Sequence, residues 1–114
     1  MNKPKLTDLV NLPGFKLLNP GKAMEREIST IYCCDLLSRV MGNAPMDCVW
    51  ITVMANMNAI AVSLLADCAA IVLAEGVVLG EDAEGKAAEQ GICILATDLP
   101  IYEAAKQISV LLPD

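Results

Sequence analysis

The chain has 114 residues, 55% of them hydrophobic and 19% charged, with eight Lys and Arg against fourteen Asp and Glu and a net charge of −6. That balance argues against a nucleic-acid partner, because phosphate contacts need clustered cations and the basic residues here are scattered. The chain has no histidine, so the commonest general base and the commonest metal ligand are missing.

In chain order, residues 5–11 predict a short helix with Leu6, Leu9 and Val10 inward. Leu12-Pro13-Gly14 is a turn, residues 15–18 a small edge strand, and Asn19-Pro20-Gly21 its close. Apolar runs of strand length then follow at 28–33, 49–54, 69–74 and 92–96, each rich in Ile and Val and nearly free of charge. Such runs are expected where helices cover both faces of a sheet. Helical segments separate them. Asp35 is expected to cap a helix that ends at Gly42, and Asn58 one over 59–67 that is apolar on nearly every side and therefore central. Gly80-Glu81-Asp82 opens a third helix, acidic in its first turn and stopped at Gly91. The last, over 100–112, is amphipathic, with Ile101, Ala104, Ala105, Ile108 and Leu112 on one face. The alternation predicts βαβ units.

The expected fold is therefore α/β, a three-layer α/β/α single domain with a mainly parallel sheet of four to five strands. Residues 1–24 supply the N-terminal helix and edge strand, and 25–114 the α/β core. The strands at 28–33 and 49–54 should lie side by side or one apart. No internal repeat is evident.

Residues 49–66 contain no charge, and that length approaches a membrane span. The stretch opens Val49-Trp50-Ile51-Thr52-Val53 and breaks at Ala55-Asn56-Met57-Asn58, so a strand and a buried helix are expected, and no membrane partner. Residues 1–11 are too polar for a secretory leader. The five cysteines (Cys33, Cys34, Cys48, Cys68 and Cys93) are odd in number and sit mostly in apolar runs. That fits reduced thiols in the cytoplasm. An apolar surplus in so short a chain predicts burial in a homo-oligomer, a dimer or higher.

Parallel strands send their C-terminal ends to one rim, where open α/β sheets bind ligands. The expected ligand-binding residues are accordingly Cys34, Asp35, Asn56, Asn58, Glu75, Gly76, Thr97 and Asp98, with helix N-termini able to attract a small anion. Asp35, Asn58 and Asp98 serve equally well as caps or turn formers. Cys33 and Cys34 read first as packing. Adjacent cysteines bridge only with distortion, no CxxC is present, and a helix N-terminus could lower one thiol's pKa. No GxxxxGK[ST] or GxGxxG occurs. Ser29, Ser38, Ser63 and Ser109 have no histidine to serve them as base. No catalytic residue, metal ligand or cofactor is assigned.

Several segments resemble the DRTGG domain family. They are Leu6-Thr7-Asp8-Leu9-Val10, Glu25-Arg26-Glu27-Ile28, Tyr32-Cys33-Cys34-Asp35-Leu36-Leu37-Ser38, Trp50-Ile51-Thr52-Val53, Asn58-Ala59-Ile60-Ala61-Val62, and Ile71-Val72-Leu73-Ala74-Glu75-Gly76. The family is similar to the N-terminal domain of HPr serine kinase/phosphorylase and occurs beside CBS domains. The resemblance implies an α/β regulatory or assembly domain without kinase activity. A more distant likeness to nucleotide-sugar-binding domains of muramyl ligases implies a small anionic ligand. Thr30-Ile31 replace the family's paired glycines, and Asn56 stands where many relatives carry histidine. The expected function is a non-catalytic, self-associating, cytosolic regulatory or ligand-sensing domain that takes a small anionic ligand or a protein partner. The alternatives are a thiol redox or metal-binding protein using Cys33 and Cys34, and a small enzyme using Asp35, Glu75 and Asp98.

Overall fold

The computed structural model describes residues 3–113; the first two residues and the last of the expected 1–114 domain lie outside it. The elements are α1 (Leu6–Val10), β1 (Lys16–Asn19), β2 (Ile31–Cys33), α2 (Leu37–Asn43), β3 (Val49–Thr52), α3 (Met57–Ala66), β4 (Ala70–Leu73), α4 (Glu81–Gln90), β5 (Ile94–Ala96) and α5 (Ile101–Ser109). One five-stranded sheet runs β1-β5-β4-β3-β2. β2 to β5 are parallel, and β1 joins the β5 edge antiparallel. The strands at 28–33 and 49–54 do lie side by side.

Strand register explains the layers. Side chains alternate between faces, so Trp50, Ile71, Leu73 and Ile94 pack on one side against Val40, Ala59, Ile60, Val62, Ala83 and Ala87 of α2, α3 and α4. Val49, Ile51, Ala70, Val72 and Leu95 pack on the other against Leu6 and Leu9 of α1 and Ala104 and Ile108 of α5. β3 and β4 are buried at every position, as their unbroken apolar runs require. The stretch 49–66 divides into β3 and α3, and no helix among the described residues is long and apolar enough to cross a membrane.

Several expected boundaries move, each for a local reason. β2 begins at Ile31 rather than 28, because Ile28 N–H donates to Pro4 O at 2.8 Å and Ser29 N–H to Asp47 O at 3.0 Å. These bonds tie the segment to the N-terminus and a loop instead of the sheet. Asp35 does not cap α2; its carboxylate is taken by β3, and the cap position is Leu36, with no side-chain bond. Gly42 lies inside α2 rather than ending it. α3 starts two residues earlier than expected, since Asn56, not Asn58, caps it: Ala59 N–H donates to Asn56 Oδ1 at 2.9 Å. α3 is not central either, for its outer side faces solvent, with Leu65 70% exposed. α5 ends at Ser109, whose hydroxyl donates to Lys106 O at 2.6 Å.

Arg26 fastens the lower edge of the sheet. Its guanidinium donates to Asp47 Oδ1 at 2.8 Å, to Asp67 Oδ1 at 2.9 Å and to Asp67 O at 2.7 Å. Burial works against the charge, but the bonds to Asp47 and Asp67 outweigh it and raise the Arg26 pKa. Asp47 and Asp67 each precede a cysteine, and Cys48 and Cys68 meet in the core with sulfurs 3.6 Å apart. The dipeptide Asp-Cys thus occurs twice, just ahead of adjacent parallel strands, in equivalent positions.

Candidate functional site

The C-terminal ends of β2, β3, β4 and β5 share one rim, as parallel strands must. At β2 the chain leaves through Cys33, Cys34 and Asp35. Cys34 N–H donates to Ile51 O at 3.3 Å, and its carbonyl accepts from Trp50 Nε1 at 2.8 Å. The Asp35 carboxylate accepts from the Thr52 hydroxyl at 2.6 Å and from Val53 N–H at 3.0 Å. Cys34 and Asp35 therefore staple the β2 exit to the β3 exit. Asn56 is spent on the α3 cap.

At β4 the chain leaves through Glu75 and Gly76, with φ of 59° and 69°. Two successive left-handed residues turn it back, so that Glu75 N–H donates to Leu99 O at 2.9 Å and Gly76 N–H to Thr97 O at 3.0 Å. Two features favour glycine at Gly76. Its φ favours glycine, and a Cβ there would stand 3.2 Å from Asp98 Oδ1. The Thr97 hydroxyl accepts from Leu99 N–H at 3.2 Å, a turn-forming bond.

These exits border a groove of about 500 Å³ between β1 and the β4 and β5 ends, lined among others by Phe15, Lys16, Gly76, Val78, Glu84, Thr97 and Asp98. Of the expected site residues, Gly76, Thr97 and Asp98 come together here. Cys34, Asp35 and Asn56 have structural partners elsewhere on the rim, and Glu75 is exposed on its turn. Asn58 lines a different depression, between α3 and α4. Phe15, Lys16 and Glu84 were not foreseen. Their inclusion follows from β1 lying antiparallel to β5, which sets Lys16 opposite Ala96. No periodicity in sequence tells an edge strand which edge to join.

The groove sits at the side of the rim for a topological reason. Doubly wound sheets open a crevice where strand order reverses. Here β2 to β5 are laid down in unbroken sequence, with all three connecting helices on one face, so no reversal opens the middle of the rim. The lining carries the carboxylates of Glu84 and Asp98 against the Lys16 ammonium.

The thiols follow burial. Cys33 lies at the solvent-exposed end of β2, yet partial burial, joined by the nearby Asp35 charge, pushes its pKa up. This is the reverse of the activation a helix N-terminus would give. Burial pushes the Cys93 thiol up to about 11. Cys48 is pushed up by its hydrogen bond to Cys68 and by burial. Among the described residues, no group of three or more Cys, Asp or Glu could hold a metal ion.

No protein-family model matches the chain, and no curated protein matches it either. Among solved structures it is similar to the CBS and DRTGG domains of the regulatory region of Clostridium perfringens pyrophosphatase, complexed with the activator diadenosine tetraphosphate. The TM-score is 0.77 at 11% identity, over 96% of this chain and 47% of that one. The chain thus spans about half the length of the structure it matches. In class, this is an α/β domain whose fold is shared with part of that structure. At that identity the likeness is one of fold, to a structure whose DRTGG domain bears the name of the family that Tyr32 to Ser38 and Ile71 to Gly76 resemble.

Proposed function

We propose that the chain is a non-catalytic regulatory domain of the cytoplasm that takes a small ligand at the rim groove and transmits its presence by self-association. The observation that carries this reading is the groove itself. It is about 500 Å³, within the range of small-molecule sites. It is lined by side chains from β1, α4 and the β4 and β5 exits, so a ligand there would bridge an edge strand to the centre of the sheet. The regulatory fold of the neighbouring structure agrees, as does a chain without histidine. Five unpaired thiols suit a reducing compartment.

The small anion expected from the family likeness would meet Lys16, but also Glu84 and Asp98. Anions of low charge therefore suit the lining better than polyphosphates, whose charges the two carboxylates would oppose. A thermal-shift screen against nucleotides, acyl phosphates and sugar phosphates tests the reading, because a ligand that prefers the folded state raises its melting point. The expected result is a rise in Tm with at least one compound, lost on Lys16→Ala. A rise unaffected by Lys16→Ala and by Asp98→Ala would remove the groove as the seat. No rise with any of the three classes would overturn the ligand-sensing reading.

A further inference from the structure

α3 is apolar on both sides. Ala59, Ile60, Val62 and Ser63 are buried against the sheet, while Met57, Ala61, Leu64 and Leu65 lie on the opposite, solvent side. Their spacing of four, seven and eight residues from Met57 marks one face of a helix. Leu65 is 70% exposed, Leu64 48% and Met57 44%. A ten-residue helix is too short to span a bilayer.

We propose that this outer face is the seat of a second copy of the same chain, packed α3 against α3. The inference rests on the self-association proposed above and names its surface. Shape favours a copy over another partner. Beside the leucines lies a depression of about 460 Å³ between α3 and α4, where small Ala61 leaves room. The same face thus carries both a ridge, on α3, and a hollow, between α3 and α4, which a two-fold contact requires of a single surface.

Charge favours it further and selects the axis. Helices α2, α3 and α4 connect successive neighbouring strands, so α3 lies between the other two. Arg39 is exposed on α2, which carries no acid. Glu81, Asp82 and Glu89 of α4 line the surface beside Met57, with Lys86 among them and paired to Glu89, so that this surface remains net acidic. A two-fold running along the helices sets α2 of each copy over α4 of the other, cation over acids. A two-fold across the helices would set α4 on α4, one net-acidic surface against another. For a chain of net charge −6, which repels its own copy at long range, the first arrangement is the favourable one. A stable interface takes about 800 Å² from each partner, and a molecule of 37 × 25 × 24 Å has a face of that size. An anionic membrane surface would meet the same acids unfavourably.

Sedimentation equilibrium of the full chain tests the proposal. The wild type should dimerise. Leu65→Glu should weaken dimerisation at least tenfold with circular dichroism and Tm unchanged, since the side chain is mostly in water. Arg39→Glu should weaken it less, and Arg39→Glu with Glu89→Arg should restore part of the loss. A wild-type dimer that Leu65→Glu and Ala61→Glu both leave intact would place the interface elsewhere and spare self-association. A wild type that stays monomeric at every concentration, or that binds anionic vesicles instead, would overturn both.

Discussion

Asp35 illustrates how a residue's neighbours redirect it. In sequence it stands two positions before a helix, where aspartate usually caps. In the fold it accepts from Thr52 and Val53, because the Thr52 hydroxyl is fully buried at the end of β3 and needs a partner. Replacing Asp35 by alanine should cost about 1–2 kcal/mol, since bonds to a charged acceptor are among the stronger ones and solvent weakens the outer one. Asp35→Asn should cost less. Urea denaturation of the two variants checks both expectations. Gly91 makes the opposite case, with its role readable in advance as a helix stop. Its φ is 67°, and a Cβ would collide with the Lys22 side chain. Gly91→Ala should lower stability by about 1–2 kcal/mol through left-handed strain, read as a shift in urea midpoint with unchanged slope.

The same contrast recurs among the helices. α4 begins and ends where acid in the first turn and a terminal glycine require. α3 starts two residues before its expected place because Asn56 and Asn58 are equally good caps by composition, and only the direction of the chain leaving β3 decides between them. Asn56→Ala should cost about 1 kcal/mol and Asn56→Asp almost nothing, while Asn58→Ala should be neutral; thermal unfolding of the three variants separates the two positions. Gly42 read as a stop but lies within α2, with nothing within 4 Å of where a Cβ would be. Gly42→Ala should therefore stabilise by about 0.5–1 kcal/mol, the helix-propensity difference, seen as a higher Tm.

At the scale of the whole molecule, buried thiols make stability depend on alkaline pH. Cys93 is 1% exposed and titrates near 11, against 9.0 for an ordinary thiol. Above pH 9 the unfolded chain has released that proton and the folded chain has not, so stability falls as pH rises from about 9 to about 11. Below 9 the contribution is complete. Two pKa units correspond to about 2–3 kcal/mol. Cys93→Ala should flatten the alkaline limb of stability against pH, though it lowers stability at neutral pH by removing core volume. Denaturation curves at pH 7, 9 and 10.5 for wild type and variant separate the two effects.

By itself the sequence determined the fold class, the number of layers and the faces of most elements, because these follow from local periodicity: unbroken Ile and Val runs for covered strands, three- and four-residue spacing for α5. It also determined which groups reach the rim, since every parallel strand ends on the same side. Tertiary structure alone decided that β1 joins the β5 edge and brings Lys16 to Thr97 and Asp98. It also decided that Asp35 serves β3, and that Arg26 links two loops which are 20 residues apart in the chain. Those outcomes depend on which strand edge and which buried donor are open once the sheet has closed, and no window of neighbouring residues contains that information.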